Sequence, residues 1–450
     1  MSRHTARGTC GAPGTRRDGY SLVELVIAFA AAIIILLVLF QAFQAKTLLA
    51  RTQIDVADMQ QAQRVIQHEL TRLVRMAGRG GLASMIDRGN GTRYLPAINV
   101  RDNVAFGENI AVGDGSTPFV AEGTDVLTIR GVFNSPVYQL NFASPTTLTL
   151  EDAGGYPTND AAQAASGTLQ VTDPSPTGVP QDLNALCDAS PGDALLLVSP
   201  IDESIYAVVE VEDSSDCPTP LVTVDFKVTG GLNTDGFRTL YNSGLGADPV
   251  LPSGLSNAAL AGLVEEYRFY VREPDANTTT APTLSVARMV PGTEVVHANA
   301  GNDEGVNNND RLDLADNMLD LQVALGFNST LGDPLSDQNG DGITNEDDIV
   351  LTETDNGQDD DWLFNSTEDD PDSTPFVPPW DDDPLTATVP QPDLYFLRLS
   401  TLARVQVPDR NYDALEIARI ENRDVDPFNT LDERRFRRNL MQTTIDLRNL

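Results

Sequence analysis

The chain has 450 residues, of which 41% are hydrophobic and 21% charged, and its formal net charge is -36. That size and balance suit one large folded domain or two ordinary ones and exclude wholesale disorder. So negative a charge excludes a nucleic-acid partner, whose phosphates would be repelled, and suits hard cations.

Positive charge gathers at the N-terminus. Arg3, Arg7, Arg16 and Arg17 precede the first apolar run, opposed there only by Asp18. Residues 25–40 contain no charge and no helix breaker, and Leu22 and Val23 extend the run backward across Glu24. From Leu22 to Phe43 the stretch approaches the roughly 20 residues that cross a bilayer core. The arginines place its N-terminal side in the cytoplasm. A secretory signal peptide would have a shorter apolar core ending at a small-residue cleavage site. Here the helical pattern continues through Gln41, Ala42 and Phe43 to about Met76. A plain anchor leaves Glu24 unexplained, because a carboxylate near a bilayer interior costs a few kcal/mol unless it finds a partner.

Further along, Val56, Met59, Ala62, Val65, Ile66, Leu70, Leu73 and Val74 recur at threes and fours and predict one apolar stripe. Gly78, Gly80 and Gly81 end the helix. From Gly81 onward the sequence reads as short strands with Gly, Pro, Asn, Ser and Thr turns between them. The runs at 126–129, 194–198, 206–211 and 221–224 are β-type, and 266–271 alternates as a half-exposed strand should. Residues 394–399 and 403–407 form a further strand or pair of strands, and 316–323 fits either a helix start or a strand. Residues 81–123 and 150–185 carry the least pattern, and 353–393 is an acidic, proline-rich stretch that reads as a solvated loop.

There are three cysteines, with Cys10 ahead of the apolar run and 29 residues between Cys187 and Cys217. In an exported chain Cys187 and Cys217 suggest a disulfide, closing a loop worth about 3 kcal/mol; two buried thiols are the alternative.

Residues 337–348 fit a twelve-residue calcium loop. Asp337, Asn339 and Asp341 supply oxygens at the first, third and fifth positions, and Gly342 permits the sharp turn. Ile343 offers its backbone carbonyl, Asn345 stands ninth and Asp348 twelfth. The spacing wraps a hard cation in oxygens and suits Ca2+ in a structural role. The bland alternative is an acidic turn. The twelfth position holds Asp where EF-hands carry Glu, so the loop resembles dockerin-type calcium loops more closely.

No catalytic constellation emerges. The histidines are His4, His68 and His297, and the sequence has no glycine-rich phosphate loop, zinc motif or nucleophile elbow.

The segment Arg16-Arg17-Asp18-Gly19-Tyr20-Ser21-Leu22-Val23-Glu24-Leu25 resembles the class III signal of type IV prepilins. The resemblance implies cleavage after Gly19 by a prepilin peptidase and N-methylation of Tyr20. It also implies that Glu24, the fifth mature residue, meets the N-terminal amine of a neighbouring subunit during assembly. Pairing the two charges in an apolar filament core relieves both desolvated ions. Tyr20 departs from the commoner phenylalanine, and Ala30, Ala31 and Ala32 stand where major pilins often carry a helix-softening Pro or Gly.

The stretch from Gln67 to Gly78, the segment from Asp316 to Gly326 and the C-terminal residues 436–449 are similar to parts of PilW-type minor pilins. These motifs are looser than the leader and leave about half of the chain unmatched. The resemblance implies an α+β fold: a long pilin-like helix, half membrane-spanning and half amphipathic, packed on a large antiparallel β-rich domain with long loops. The implied organisation is a leader at 1–19, a helix at 20–78 and a periplasmic domain at 79–450.

The implied role is non-catalytic, a minor pilin that primes or caps type IV pili. Its expected partners are other minor pilins, the major pilin, the prepilin peptidase and the inner-membrane assembly platform. Its expected location is the bacterial inner membrane, single-pass with the C-terminal domain periplasmic, and then the pilus at the cell surface. A minor pseudopilin of type II secretion and a pilus-borne, calcium-dependent adhesin remain open at this point.

Overall fold

The computed structural model describes residues 21–82, 97–101, 104, 120–141, 147–159, 164–199, 206–215, 220–227, 240–241, 258–273, 281–289, 291, 311–327, 362–363, 394–409, 412–417, 419–421, 423–424 and 430–447. The chain divides into two compact units, the first ending at Ala57 and the second starting at Asp58.

One long helix, α1, runs Leu22–Val74 and contributes to both units. Its 53 residues extend about 80 Å at 1.5 Å per residue. The expected helix to residue 78 stops four residues sooner, because residues 75–81 turn. Gly78, Gly80 and Gly81 there adopt φ of 75°, 104° and 99°, a region that glycine enters without strain.

In the second unit α1 is followed by β1 (Ile98–Arg101), β2 (Val126–Gly131), β3 (Tyr138–Gln139), β4 (Leu148–Asp152), β5 (Pro157–Thr158) and β6 (Ala164–Thr172). A one-turn helix, α2 (Asn184–Cys187), leads to β7 (Ala194–Val198), β8 (Tyr206–Ser215), β9 (Leu221–Lys227), β10 (Leu240–Tyr241), β11 (Leu260–Arg272), β12 (Thr283–Met289) and β13 (Arg311–Asp316). Among the described residues these thirteen strands form one sheet along β1-β2-β11-β7-β8-β9-β6-β4-β5, with β3 and β12 also on β11, β13 on β12 and β10 on β8. A second sheet follows the order β15-β14-β16-β19, built from β14 (Met318–Phe327), β15 (Trp362–Leu363), β16 (Leu394–Arg404) and β19 (Arg438–Asp446). Between β16 and β19 lie the two-residue strands β17 (Arg419–Ile420) and β18 (Arg423–Asp424), which pair with each other. Neighbouring strands in both large sheets pair antiparallel. A long apolar N-terminal helix and a large antiparallel β domain are therefore present, as expected for an α+β chain.

Strand β7 explains its own composition. Leu196 and Val198 enter a core shared with Ile66, Leu70 and Val74 of α1, while Leu195 and Leu197 enter a second core with Val209, Val224 and Phe226. A strand covered on both faces is apolar without alternation. The α1 core also takes Leu321, Val323, Leu399 and Ile445, so both sheets contribute to the surface on which the second half of α1 packs.

Several expectations are corrected. Residues 266–271 are not half exposed: Glu266 and Arg268 are buried along with Phe269, Tyr270 and Val271. Glu266 sits between Arg130 Nε at 2.7 Å and an Arg268 guanidinium nitrogen at 2.8 Å. Mutual pairing lets a charged face go inside, and it leaves the same polar–apolar alternation that a wet face would. The patternless stretches hold β1 and, in 150–185, most of β4 with β5, β6 and the start of α2. Gly167 interrupts the strand pattern of β6, yet a Cβ there would lie 2.5 Å from the Phe226 ring, so the ring needs the glycine. The ambiguous 316–323 segment is a corner between two strands: Asn317 takes φ 62° between the end of β13 and the start of β14. Residues 394–404 form one strand, with Val405 just beyond it.

Candidate functional site

The structure bears on the candidate site mainly through α1. At its start, Ser21-Leu22-Val23-Glu24 closes a reciprocal cap. The Ser21 N–H donates to Glu24 Oε2 at 3.0 Å, and the Glu24 N–H donates to Ser21 Oγ at 3.4 Å. Such a box satisfies two of the N–H groups that a helix start leaves unpaired, and the carboxylate lies favourably at the positive end of the helix dipole. Glu24 therefore has an intrachain role that its place beside the apolar run does not reveal by itself.

The apolar part of α1 is uncovered. Among the described residues α1 is the helix long and apolar enough to cross a membrane, and its most apolar window is wholly unburied. Phe29, Ile33, Leu36, Leu37 and Phe40 are all exposed.

The second half is seated differently. Ile66, Leu70, Leu73 and Val74 are buried as the stripe predicts, but Val65 is exposed and Ala62 only half buried. Burial of each large apolar side chain is worth about 1.5–3 kcal/mol. Gln63 is buried in the stripe instead. Its Nε2 donates to the Asn439 carbonyl at 2.9 Å, and Asn439 Nδ2 donates to Gln63 Oε1 at 2.6 Å. A lone glutamine at an apolar position was the available signal for this contact, and its partner 376 positions away carried none.

The glycine turn completes the seat. The Gly78 N–H donates to the Arg130 carbonyl at 2.9 Å, and the Val132 N–H donates to the Arg79 carbonyl at 2.9 Å. A Cβ on Gly80 would come 2.7 Å from Val132 Cγ2, and one on Gly131 would lie 3.0 Å from the Met76 carbonyl oxygen. The turn runs alongside the end of β2 only because side chains are missing on both sides.

A buried polar joint ties the two sheets. Arg423 donates to Asp320 Oδ1 at 2.6 Å and to the Glu122 carbonyl at 2.7 Å. Gln322 Nε2 donates to Asp320 Oδ1 and to the Gly123 carbonyl, each at 3.0 Å. Asp125 Oδ2 accepts the Val323 N–H at 2.7 Å. Burial pushes the Asp320 carboxyl above its ordinary value, against the opposing pull of Arg423.

Of the other sequence-derived sites, Gly19 and Tyr20 lie outside the described residues, as do Asp337, Asn339, Asp341, Ile343, Asn345 and Asp348 of the calcium loop. Nearly all of 353–393 also lies outside them. Among the described residues no group of three or more His, Cys, Asp or Glu side chains is placed to hold a metal. Cys187 is disulfide-bonded, while Cys217 lies outside the described residues. His68 is exposed on α1. No family model, characterised protein or solved structure matches this chain.

Proposed function

We propose that this chain is a minor pilin of the PilW type, matured by cleavage after Gly19 and methylation of Tyr20, that primes or caps a type IV pilus. The observation that carries the proposal is the joining of two unlike halves in one helix. The prepilin-like signal runs directly into α1, whose uncovered apolar first part suits lipid and then a filament core. Its second part is held in the core of a β domain by a stripe of aliphatic side chains and the Gln63–Asn439 pair.

Function here is association, and Glu24 is its pivot. In the free chain its carboxylate caps its own helix. In the filament it meets the N-terminal amine of a neighbouring subunit, and the apolar surroundings strengthen that attraction. The β domain projects from the fibre, and its bulk suits a low-copy position at the tip. A calcium ion in the 337–348 loop and a Cys187–Cys217 disulfide steady that domain.

The test is incorporation. In cells lacking the native copy, wild-type protein is expected in surface filaments sheared from the cells, and Glu24→Ala protein is expected to stay in the inner membrane. Filaments that assemble normally without this chain, combined with blocked protein secretion, would replace the pilus reading with the secretion pseudopilin.

A further inference from the structure

Strand β19 ends the second sheet: among the described residues it pairs with β16 on one side and with no strand on the other. Two bonds fix which of its groups face outward. The Val405 N–H donates to the Arg437 carbonyl, toward β19, and the Arg404 N–H donates to the Asn317 carbonyl, away from it. Arg404 stands opposite Arg438. The alternation of an antiparallel pair then turns the N–H and C=O groups of Arg438, Leu440, Gln442, Thr444 and Asp446 to the free edge. Leu440 and Gln442 are exposed, while Ile445 is buried in the α1 core and anchors the strand. Folded proteins protect such edges by keeping them short, charged or bulged, or by placing proline there. The other described strands that end a sheet follow that practice. β5 and β15 have two residues each and β1 has four, while β13 has six, with Arg311, Asp313 and Asp316 among them. β19 has nine residues in unbroken register with β16, and 439–445 contains no charge, glycine or proline.

We infer that β19 is a docking edge for β19 of a second copy of this chain, the two strands running antiparallel about a two-fold axis at Gln442. What points to a second copy is the charge at the two ends of the strand. In that register Arg438 stands opposite the partner's Asp446, and the match repeats at the other end by symmetry. Opposite charges across a strand pair are favourable. Leu440 faces the partner's Thr444 and Met441 faces the partner's Thr443, so no like charges are opposed. A shift of the register in either direction loses the match, because Arg438 then falls opposite Thr444, or Asp446 opposite Leu440. Arg438 donates to the Leu415 carbonyl at 2.9 Å, which holds its charge at that end of the strand. A guanidinium has five donors, and the match asks for its charge rather than for an idle group. Pairing of this kind is isologous and closes at two copies, and backbone bonds along an added strand supply the attraction. The inference does not depend on the pilin reading.

The test is sedimentation velocity of the full chain in detergent micelles over a series of concentrations, where a reversible dimer is expected. Thr444→Pro removes an outward N–H without breaking a bond to β16 and should leave monomer alone. Arg438→Asp and Asp446→Arg each set like charges opposite one another and should weaken the dimer about tenfold, two ion pairs being lost. Mixed together, these two variants place opposite charges at both ends of the strand pair and should associate with each other as tightly as wild type does with itself. That rescue separates pairing from misfolding, since a damaged fold would not recover on mixing. Should Thr444→Pro lower the thermal midpoint, the charge variants carry the test alone. A wild-type chain that stays monomeric, a dimer that survives Thr444→Pro as one joined through α1 in the micelle would, or charge variants that fail to rescue each other would overturn the inference.

Discussion

Gln63 and Asn439 are joined twice: the Gln63 side chain donates to the Asn439 backbone carbonyl at 2.9 Å, and the Asn439 side chain donates back to Gln63 Oε1 at 2.6 Å. One residue lies on α1 and the other near the start of the last strand, so the pair fixes where the helix sits on the second sheet. Replacing Gln63 by alanine leaves Asn439 Nδ2 without its acceptor and opens space in the stripe. A loss of about 1–3 kcal/mol is expected, read by urea unfolding of the full chain in detergent. Val65→Ala, one turn-face away and exposed, should change stability by less than about 0.5 kcal/mol. Equal effects from the two would contradict the assignment.

Glu266 is fully buried between Arg130 and Arg268. Glu266→Ala leaves two guanidinium groups inside without this counter-charge, and removing one partner of a buried pair costs about 3–5 kcal/mol. The same unfolding measurement checks it, and a loss under about 1 kcal/mol, typical of an exposed pair, would mean that water reaches the cluster.

Asp320 links stability to pH. Burial raises its folded pKa above the ordinary carboxylate value, so between those two values the folded chain binds more protons than the unfolded one. Stability from this group is full below the ordinary value and is lost as pH rises through the raised one. Asp320→Asn removes that dependence. The stability of the variant minus that of the wild type should therefore climb as pH rises from acid toward neutral. A difference that stays flat across denaturation curves at several pH values would contradict the burial effect.

Gly80 combines φ 104° with Val132 occupying the space that a Cβ would need. Gly80→Ala forces a left-handed backbone on a side chain that would also meet Val132 Cγ2 at 2.7 Å. Strain of this kind costs about 1–3 kcal/mol. Gly178→Ala has positive φ with open space around it and should cost less, which differential scanning calorimetry of the two variants checks.

Much of this architecture was legible because burial writes a period into sequence. The uncharged run before Phe43, the stripe of Ile66, Leu70, Leu73 and Val74, and the unbroken apolar β7 each follow from what covers them. The misses have a common cause. Gln63, Glu266 and Asp320 are polar groups buried against partners far away in sequence, and Arg268 is buried against Glu266; no local pattern separates a paired buried charge from a solvated one. Val65 read as core because a one-residue error in helical phase still satisfies threes and fours. The Ser21–Glu24 box is legible in plain spacing, a Ser and a Glu three residues apart at the start of an apolar run.

The central claim rests on one covalent fact, measurable by mass spectrometry of the N-terminus of protein extracted from membranes. The account predicts a chain beginning at Tyr20 with one methyl group on its amine. A chain that still carries Met1, or one cut beyond Phe43, would contradict it and leave an anchored or secreted β protein.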